Sequence, residues 1–298
     1  VNKVHRKELL SVFGLLGAAL LWGISFPAMK VVVDLPIFYI ISIRFIAASM
    51  ALSIVFYRHF KNCNLQILKY AFLLSFCIFF MYIFCTLGIK YTTSARASFF
   101  SCLTFMIVPF LNYVIYKVKL CKNTLTSVLI CLAGVFLLSY TNDIGGFRLN
   151  LGDMLCVLGS LTGSFHIIFL ERVMKKERMD SVLFTVFLIL FIAIWSTIVA
   201  FFTNSFSGVS PTPFHMVVIV FIGLFCTAAA FLLQSVSQRY VPCNRVGIIL
   251  AMEPASGCIF SVLILGDVLS VYGWIGAALV MGSMLFLEIA SSRYCQTL

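Results

Sequence analysis

The chain has 298 residues, of which 62% are hydrophobic and only 10% charged, and its mean hydropathy is +1.10. Soluble domains carry nearer a quarter charged residues, so a water-soluble globule is excluded. The net charge of +11 does not point to nucleic acid, because the basic residues sit at the ends of apolar spans and form no aromatic-interleaved patch.

Ten apolar spans are predicted in chain order, at 9–33, 36–57, 67–89, 94–116, 124–140, 151–171, 181–203, 214–238, 244–265 and 269–289. The expectation is therefore an all-α integral membrane protein of ten transmembrane helices. The first span follows Lys3, Arg6 and Lys7 and so resembles a secretory signal, but it stays apolar past Trp22 without a clear cleavage site and is expected to be retained. The second carries Arg44 eight residues past Pro36, roughly 12 Å into the helix. Arg44 either attracts a carboxylate or braces neighbouring carbonyls. Tyr82 in the third span and Trp22 in the first are candidates for aromatic cavity walls, against simple packing between helices.

In the fourth span Ser94, Ser98, Ser101 and Thr104 line one side at spacings of four, three and three. Such a stripe can offer hydroxyls to a substrate or allow close helix contact; Thr104 is nearest the midplane. The fifth span is short. In the sixth, Gly159, Gly163 and His166 share a face, the glycines reading as a packing seam and His166 as a hydrogen-bonding residue or a proton relay. The eighth carries Thr227 and Gln234 seven residues apart, a weaker polar pair.

The ninth span holds the most informative feature, Glu253–Pro254 in an otherwise apolar run. About ten residues of helix, roughly 15 Å, separate Glu253 from the polar residues before it. That is the midplane of a bilayer whose hydrocarbon is about 30 Å thick. An intramembrane carboxylate faces a cavity or a partner, so Glu253 is a candidate for binding a substrate amine or a coupling proton, or else a brace. Pro254 is expected to kink the helix and free a carbonyl beside it.

Orientation follows from lysine and arginine. With a cytoplasmic N-terminus the inner segments hold Lys3, Arg6, Lys7, Arg58, Lys61, Lys69, Lys117, Lys119, Lys122, Arg172, Lys175, Lys176, Arg178, Arg239, Arg245 and Arg293. The outer segments hold Lys30, Lys90, Arg96 and Arg148. This bias places both termini in the cytoplasm and supports an even number of crossings.

The halves, 1–145 and 146–298, look related. GLLGAALLWG (14–23) resembles VLGSLTGSFH (157–166), and GVFLLS (134–139) resembles GSMLFL (282–287). Five helices per half forces opposite orientations, the inverted-repeat plan of many secondary transporters. The eleven cysteines lie mainly inside spans and form neither C-x-x-C pairs nor metal-ligand spacings with histidine.

LLWGISFPAMK, ISIRFIAASMAL, YTTSARASFFSCLTFMIVPFL, LGDMLCVLGSLTGSF and the Glu253–Pro254…Gly266–Asp267 segment, in this order and spacing, resemble the EamA-type members of the drug/metabolite transporter superfamily. The resemblance implies two inverted five-helix repeats around a central cavity and export of small metabolites, often amino acids. It also implies a glutamate where the fourth helix ends; this chain has YKVKL there, with Lys117 and Lys119.

The expected function is secondary active transport of a small polar or zwitterionic metabolite across the inner (plasma) membrane by alternating access, with possible proton coupling through Glu253. No Walker motif appears, no cofactor or metal is expected, and the partners are a small-molecule substrate and the bilayer, with the protein a monomer or homodimer. Two other classes compete. An organic-phosphate, nucleotide-sugar or S-adenosyl-compound exchanger on the same fold would favour several basic residues in the cavity, whereas only Arg44 is clearly within a span. An intramembrane enzyme would need paired carboxylates, metal motifs or a nucleophile elbow, and Asp34, Asp143, Asp153 and Asp267 form no acidic pair.

Overall fold

The computed structural model describes residues 2–117, 122–138, 140–141, 146–147, 149–174, 179–237, 249–250 and 252–295. Lys119, Arg148, Lys175, Lys176, Arg178, Arg239, Arg245 and Asp143, which enter the orientation and acid readings above, lie outside the described residues, as do 244–248 of the ninth span.

Apolar runs of membrane length become helices here because, away from water, a helix is the one way a single segment can satisfy its own backbone. The first three are α1 (Asn2–Val32), α2 (Ile37–Val55) and α3 (Leu65–Tyr91), with a 3-10 turn at Tyr57–Asn62 between the second and third. The predicted fourth span is two helices, α4 (Ser94–Ser101) and α5 (Thr104–Tyr116). Then come α6 (Lys122–Leu138), α7 (Leu151–Met174) and α8 (Ser181–Phe202). The predicted eighth span is α9 (Pro213–Gly223), a π-turn at Leu224–Ala229, and α10 (Ala230–Ser237). The last two are α11 (Glu253–Leu265) and α12 (Val271–Cys295).

Among the described residues, seven helices are long and apolar enough to cross a membrane, and three shorter apolar ones, Lys122–Leu138, Glu253–Leu265 and Val271–Leu287, fill the remaining predicted positions. Large apolar side chains such as Leu65, Leu129 and Leu263 stand on the exterior, as a lipid-facing surface requires. The described part is not wholly helical. Tyr140–Thr141 (β1) pairs antiparallel with Gly146–Phe147 (β2), Tyr140 opposite Phe147, at the joint between the halves.

Polar residues set the ends. Asn64 Oδ1 accepts from the Ile67 amide at 2.8 Å, and Asp180 Oδ1 accepts from the Val182 and Leu183 amides at 2.9 and 3.3 Å, capping α3 and α8. Thr212 caps α9, with Pro213 in its first turn. Gly266 ends α11 in the left-handed region, φ 69°, where its lack of Cβ removes the steric cost.

Two departures from the expected helices have physical causes. The break between α4 and α5 releases carbonyls, and α7 supplies hydroxyls to take them. Ser160 Oγ donates within 2.7 Å of the Phe100 carbonyl and 2.8 Å of the Ser101 carbonyl, and Ser164 Oγ donates to the Thr104 carbonyl at 3.0 Å. Pro254 does not kink the middle of a helix. It sits in the first turn of α11, where its missing N–H leaves no intrahelical bond unmade, and the chain turns at Met252 just before it.

The packing pattern is two-fold. α3 packs on α7 as α1 packs on α10; α1 packs on α11 as α4 and α5 pack on α7; α3 packs on α8 as α2 packs on α9. α2 with α8, α4 with α11, and α6 with α12 pair across the halves. Exchanging each predicted span for the one five places along maps this set of contacts onto itself. The apolar core falls in two main clusters, one built largely from α1, α4 and the α6–α12 pair, the other from α2, α3 and α8. Between them lies a cavity.

Candidate functional site

The cavity has a volume of about 270 Å³, just below the roughly 300–1,000 Å³ typical of small-molecule sites. Phe26 on α1, Ile78 on α3, and Phe184 and Leu188 on α8 give it apolar walls. Eight of the residues singled out from sequence line it: Trp22, Arg44, Tyr82, Ser101, Thr104, His166, Gln234 and Glu253.

They arrive there in different conditions. Arg44 on α2 is 3% exposed. Its Nε donates to Thr227 Oγ1 at 2.8 Å, and its guanidinium lies over the Tyr82 ring, 4.7 Å from the centroid. Its two Nη nitrogens have no hydrogen-bond partner among the described residues and are not sealed off. Tyr82 is held in turn by Phe45, edge to face at 4.8 Å.

Glu253 opens α11 on the other half of the chain. Its backbone carbonyl accepts from Ser256 Oγ at 2.8 Å, but its carboxylate has no hydrogen-bond or ion-pair partner among the described residues. Arg44 and Glu253 therefore share a cavity without neutralising each other. Tyr82 and Cys85 on α3 lie within electrostatic reach of both. A buried charge left unpaired is expensive; an arginine fork and a carboxyl that do not pair with each other face one small space from its two halves.

The other candidates divide by what their polar atoms already do. The Gln234 amide has no partner among the described residues and adds a donor and an acceptor to the wall. Trp22 packs edge to face on Phe231 at 5.4 Å. The Thr104 hydroxyl donates toward the carbonyls of Ser101 at 2.9 Å and Ser160 at 3.3 Å, and Ser101 Oγ meets Cys85 Sγ at 3.6 Å. Both are largely occupied in joining helices. Ser94 and Ser98, from the same stripe, miss the cavity: Ser94 accepts from Ser261 Oγ at 2.8 Å, and Ser98 donates to the Ala95 and Pro254 carbonyls. The His166 ring is 6% exposed and meets the Leu74 carbonyl, and its Nδ1 has no partner among the described residues.

The glycine seam of α7 faces α3. A Cβ on Gly159 would meet Cys85 Sγ at 2.6 Å, and one on Gly163 would meet Met81 Sδ at 2.9 Å. Gly282 belongs to no seam, since nothing lies within 4 Å of a Cβ placed there. The tight contact of that pair of helices is Gly134 on α6 against Gly276 on α12, each facing the other's carbonyl oxygen at 2.8 and 2.5 Å from such a Cβ.

Sequence reasoning left two features unrecognised. One is Thr227 as the partner of Arg44, described below. The other is a polar knot at the end predicted to face outward. Lys30 Nζ donates to the carbonyls of Ile89 and Thr92, both at 2.6 Å. Asp153, fully buried, accepts from Thr92 Oγ1 at 2.7 Å and pairs with Arg96 through Nε and Nη2. Asp267 Oδ2 accepts from the Ala95 amide at 3.1 Å. These bonds tie α1, α3, α4, α7 and the end of α11 together. Their one sequence signal is charge at the ends of four different spans, which gives no hint of who meets whom.

Among the described residues, no group of three or more His, Cys, Asp or Glu side chains is placed to hold a metal ion. The profile of the EamA-like transporter family matches the chain twice, over residues 9–140 and 150–289. An uncharacterized transporter of Archaeoglobus fulgidus is 26% identical over 284 residues, covering 95% of this chain and 87% of that protein. The uncharacterized transporter YetK of Bacillus subtilis is 25% identical over 288 residues, covering 94% and 87%. A solved crystal structure superposes with a TM-score of 0.69 over 95% of this chain and 98% of its own, at 16% identity, and so speaks to fold alone.

Proposed function

The chain belongs to the EamA-like transporter family, and from that premise we propose that it is a secondary active transporter that exports small zwitterionic metabolites, amino acids foremost, by alternating access. The observation that carries this reading is the pair of uncompensated charges in one cavity, Glu253 from the second half and the free Nη edge of Arg44 from the first. An ammonium at Glu253 and a carboxylate at Arg44 would each complete a charge that the protein leaves open, and the substrate would bridge the two halves.

The two-fold packing pattern and the doubled family match support halves at about 1–145 and 146–298. With five crossings each they would be inverted, and rocking one against the other would expose the site to each side in turn. The knot around Asp153 and Lys30 belongs to a state shut at the outer end. The charge bias of the connecting segments supports both termini in the cytoplasm, and the low-acid, aromatic-rich composition supports placement in the inner membrane. Proton coupling is assigned to Glu253, the one acidic group on the cavity wall among the described residues.

The organic-phosphate, nucleotide-sugar or S-adenosyl reading is less favoured, because the wall offers one arginine and a volume of about 270 Å³. The test is counterflow in proteoliposomes against a panel of amino acids, nucleosides and S-adenosyl compounds. Exchange confined to amino acids supports the proposal, and exchange of nucleosides or S-adenosyl compounds alone would refute it.

A further inference from the structure

Helix 8 of the sequence prediction changes its winding where it passes Arg44. Gly223 ends α9 with its backbone so close to α2 that an added Cβ would stand 2.6 Å from the Arg44 carbonyl oxygen. The π-turn Leu224–Ala229 follows at once. One extra residue in a turn rotates everything after it, and such turns collect at functional sites. Here the turn holds Thr227, fully buried, whose Oγ1 accepts from Arg44 Nε at 2.8 Å while it donates to the Ile222 carbonyl, five residues back, at 3.1 Å.

The hydroxyl therefore has a fixed direction. Donating its one proton to Ile222 leaves its lone pairs for Arg44, so the guanidinium is gripped at Nε along one edge and covered on its face by Tyr82. A carboxylate can meet a guanidinium across Nε and one Nη, or across both Nη groups. With Nε taken, only the end-on fork of the two Nη groups is left, and that edge is the unpartnered one.

We infer that Thr227, set by the π-turn, is the positioning residue of the substrate site: it holds Arg44 so that the guanidinium presents its Nη fork end-on to the carboxylate of a zwitterionic substrate. This rests on the transport reading above and adds to it a direction of approach and a residue that governs it. Thr227 would touch no substrate itself.

The test uses Thr227→Val, which keeps the shape and loses the hydroxyl, with Thr227→Ser as the conservative rescue. L-leucine is the probe, and its decarboxylated counterpart 3-methylbutylamine is the competitor that needs no carboxylate clamp. In counterflow, Thr227→Val should raise the KM for L-leucine about tenfold, the scale of one lost hydrogen bond to a charged group. Maximal exchange rate and competition by 3-methylbutylamine should stay at parent values, and Thr227→Ser should restore the KM. An unchanged KM in Thr227→Val, or equal weakening of leucine and amine, overturns the assignment. If Arg44→Gln weakens leucine while Thr227→Val does not, only the positioning role fails. If the parent does not exchange L-leucine, or Arg44→Gln is without effect, the substrate reading fails and the clamp with it.

Discussion

In the proposed transport Arg44 and Glu253 would divide the work of recognition, because among the described residues the Arg44 Nη groups and the Glu253 carboxylate have no partner. Arg44 has its Nε and its ring face occupied, so only the substrate side of its fork remains. Replacing it with Gln removes the charge and the fork together, and the half-saturating concentration for an amino acid should rise roughly ten- to a hundredfold. Thr104 behaves differently. Its hydroxyl is spent on the Ser101 and Ser160 carbonyls, so Thr104→Val should cost about 1 kcal/mol of stability and leave the KM near its parent value. A melting curve read beside a transport assay separates the two effects. Helical spacing could put Ser101 and Thr104 on one face, but it could not say that the hydroxyls of that face were already engaged, since their partners are the Ser101 carbonyl at a break no motif announces, the Ser160 carbonyl on α7 and Cys85 Sγ on α3.

At the scale of elements, polar and small residues decide where helices break and how closely they pass. Ser160 Oγ adds a donor to the two carbonyls at the end of α4, beside Thr104 Oγ1 on Ser101 and the Leu103 amide on Phe100. Ser160→Ala should lower stability by about 1 kcal/mol, one lost hydrogen bond, since both carbonyls keep another donor. Gly134 and Gly276 bring α6 and α12 into backbone contact, so Gly134→Leu should force them apart and sharply reduce the yield of folded protein, whereas Gly282→Leu, with open space around it, should be tolerated. Fluorescence-detected size exclusion of detergent extracts would check both. The likeness between GVFLLS and GSMLFL could suggest related helices, but hydrophobic likeness does not tell which side of a helix faces a neighbour. The π-turn escaped for a related reason. A steady 3.6-residue period was assumed through Leu224–Ala229, while the observed turn slips the register and carries Thr227 to Arg44. Apolar runs, by contrast, made the helices themselves legible, because length and hydropathy are properties of a segment alone.

The whole molecule is held in one arrangement at the end predicted to be outside. The Arg96–Asp153 pair and the Ala95–Asp267 bond join helices of both halves, and the Lys30 contacts tie α1 to the end of α3 beside them. Asp153→Asn keeps the side chain's size but removes the ion pair, and should raise labelling of an outer-end cysteine by a membrane-impermeant reagent severalfold. Unchanged labelling would make the knot a fixed brace. Proton coupling stands most directly on Glu253, the only acid on the cavity wall among the described residues. Glu253→Gln preserves shape and hydrogen-bonding capacity while removing the ionisable proton. In proteoliposomes holding amino acid on both sides, exchange needs only binding and the conformational switch. Transport driven by a pH gradient also needs a proton to load on one side and leave on the other. Both are measured on the same preparation from mildly acid to mildly alkaline pH. At substrate concentrations raised to offset a weaker hold on the ammonium, Glu253→Gln should retain exchange and lose gradient-driven accumulation, and a variant that accumulates substrate like the parent across that range would contradict proton coupling at Glu253.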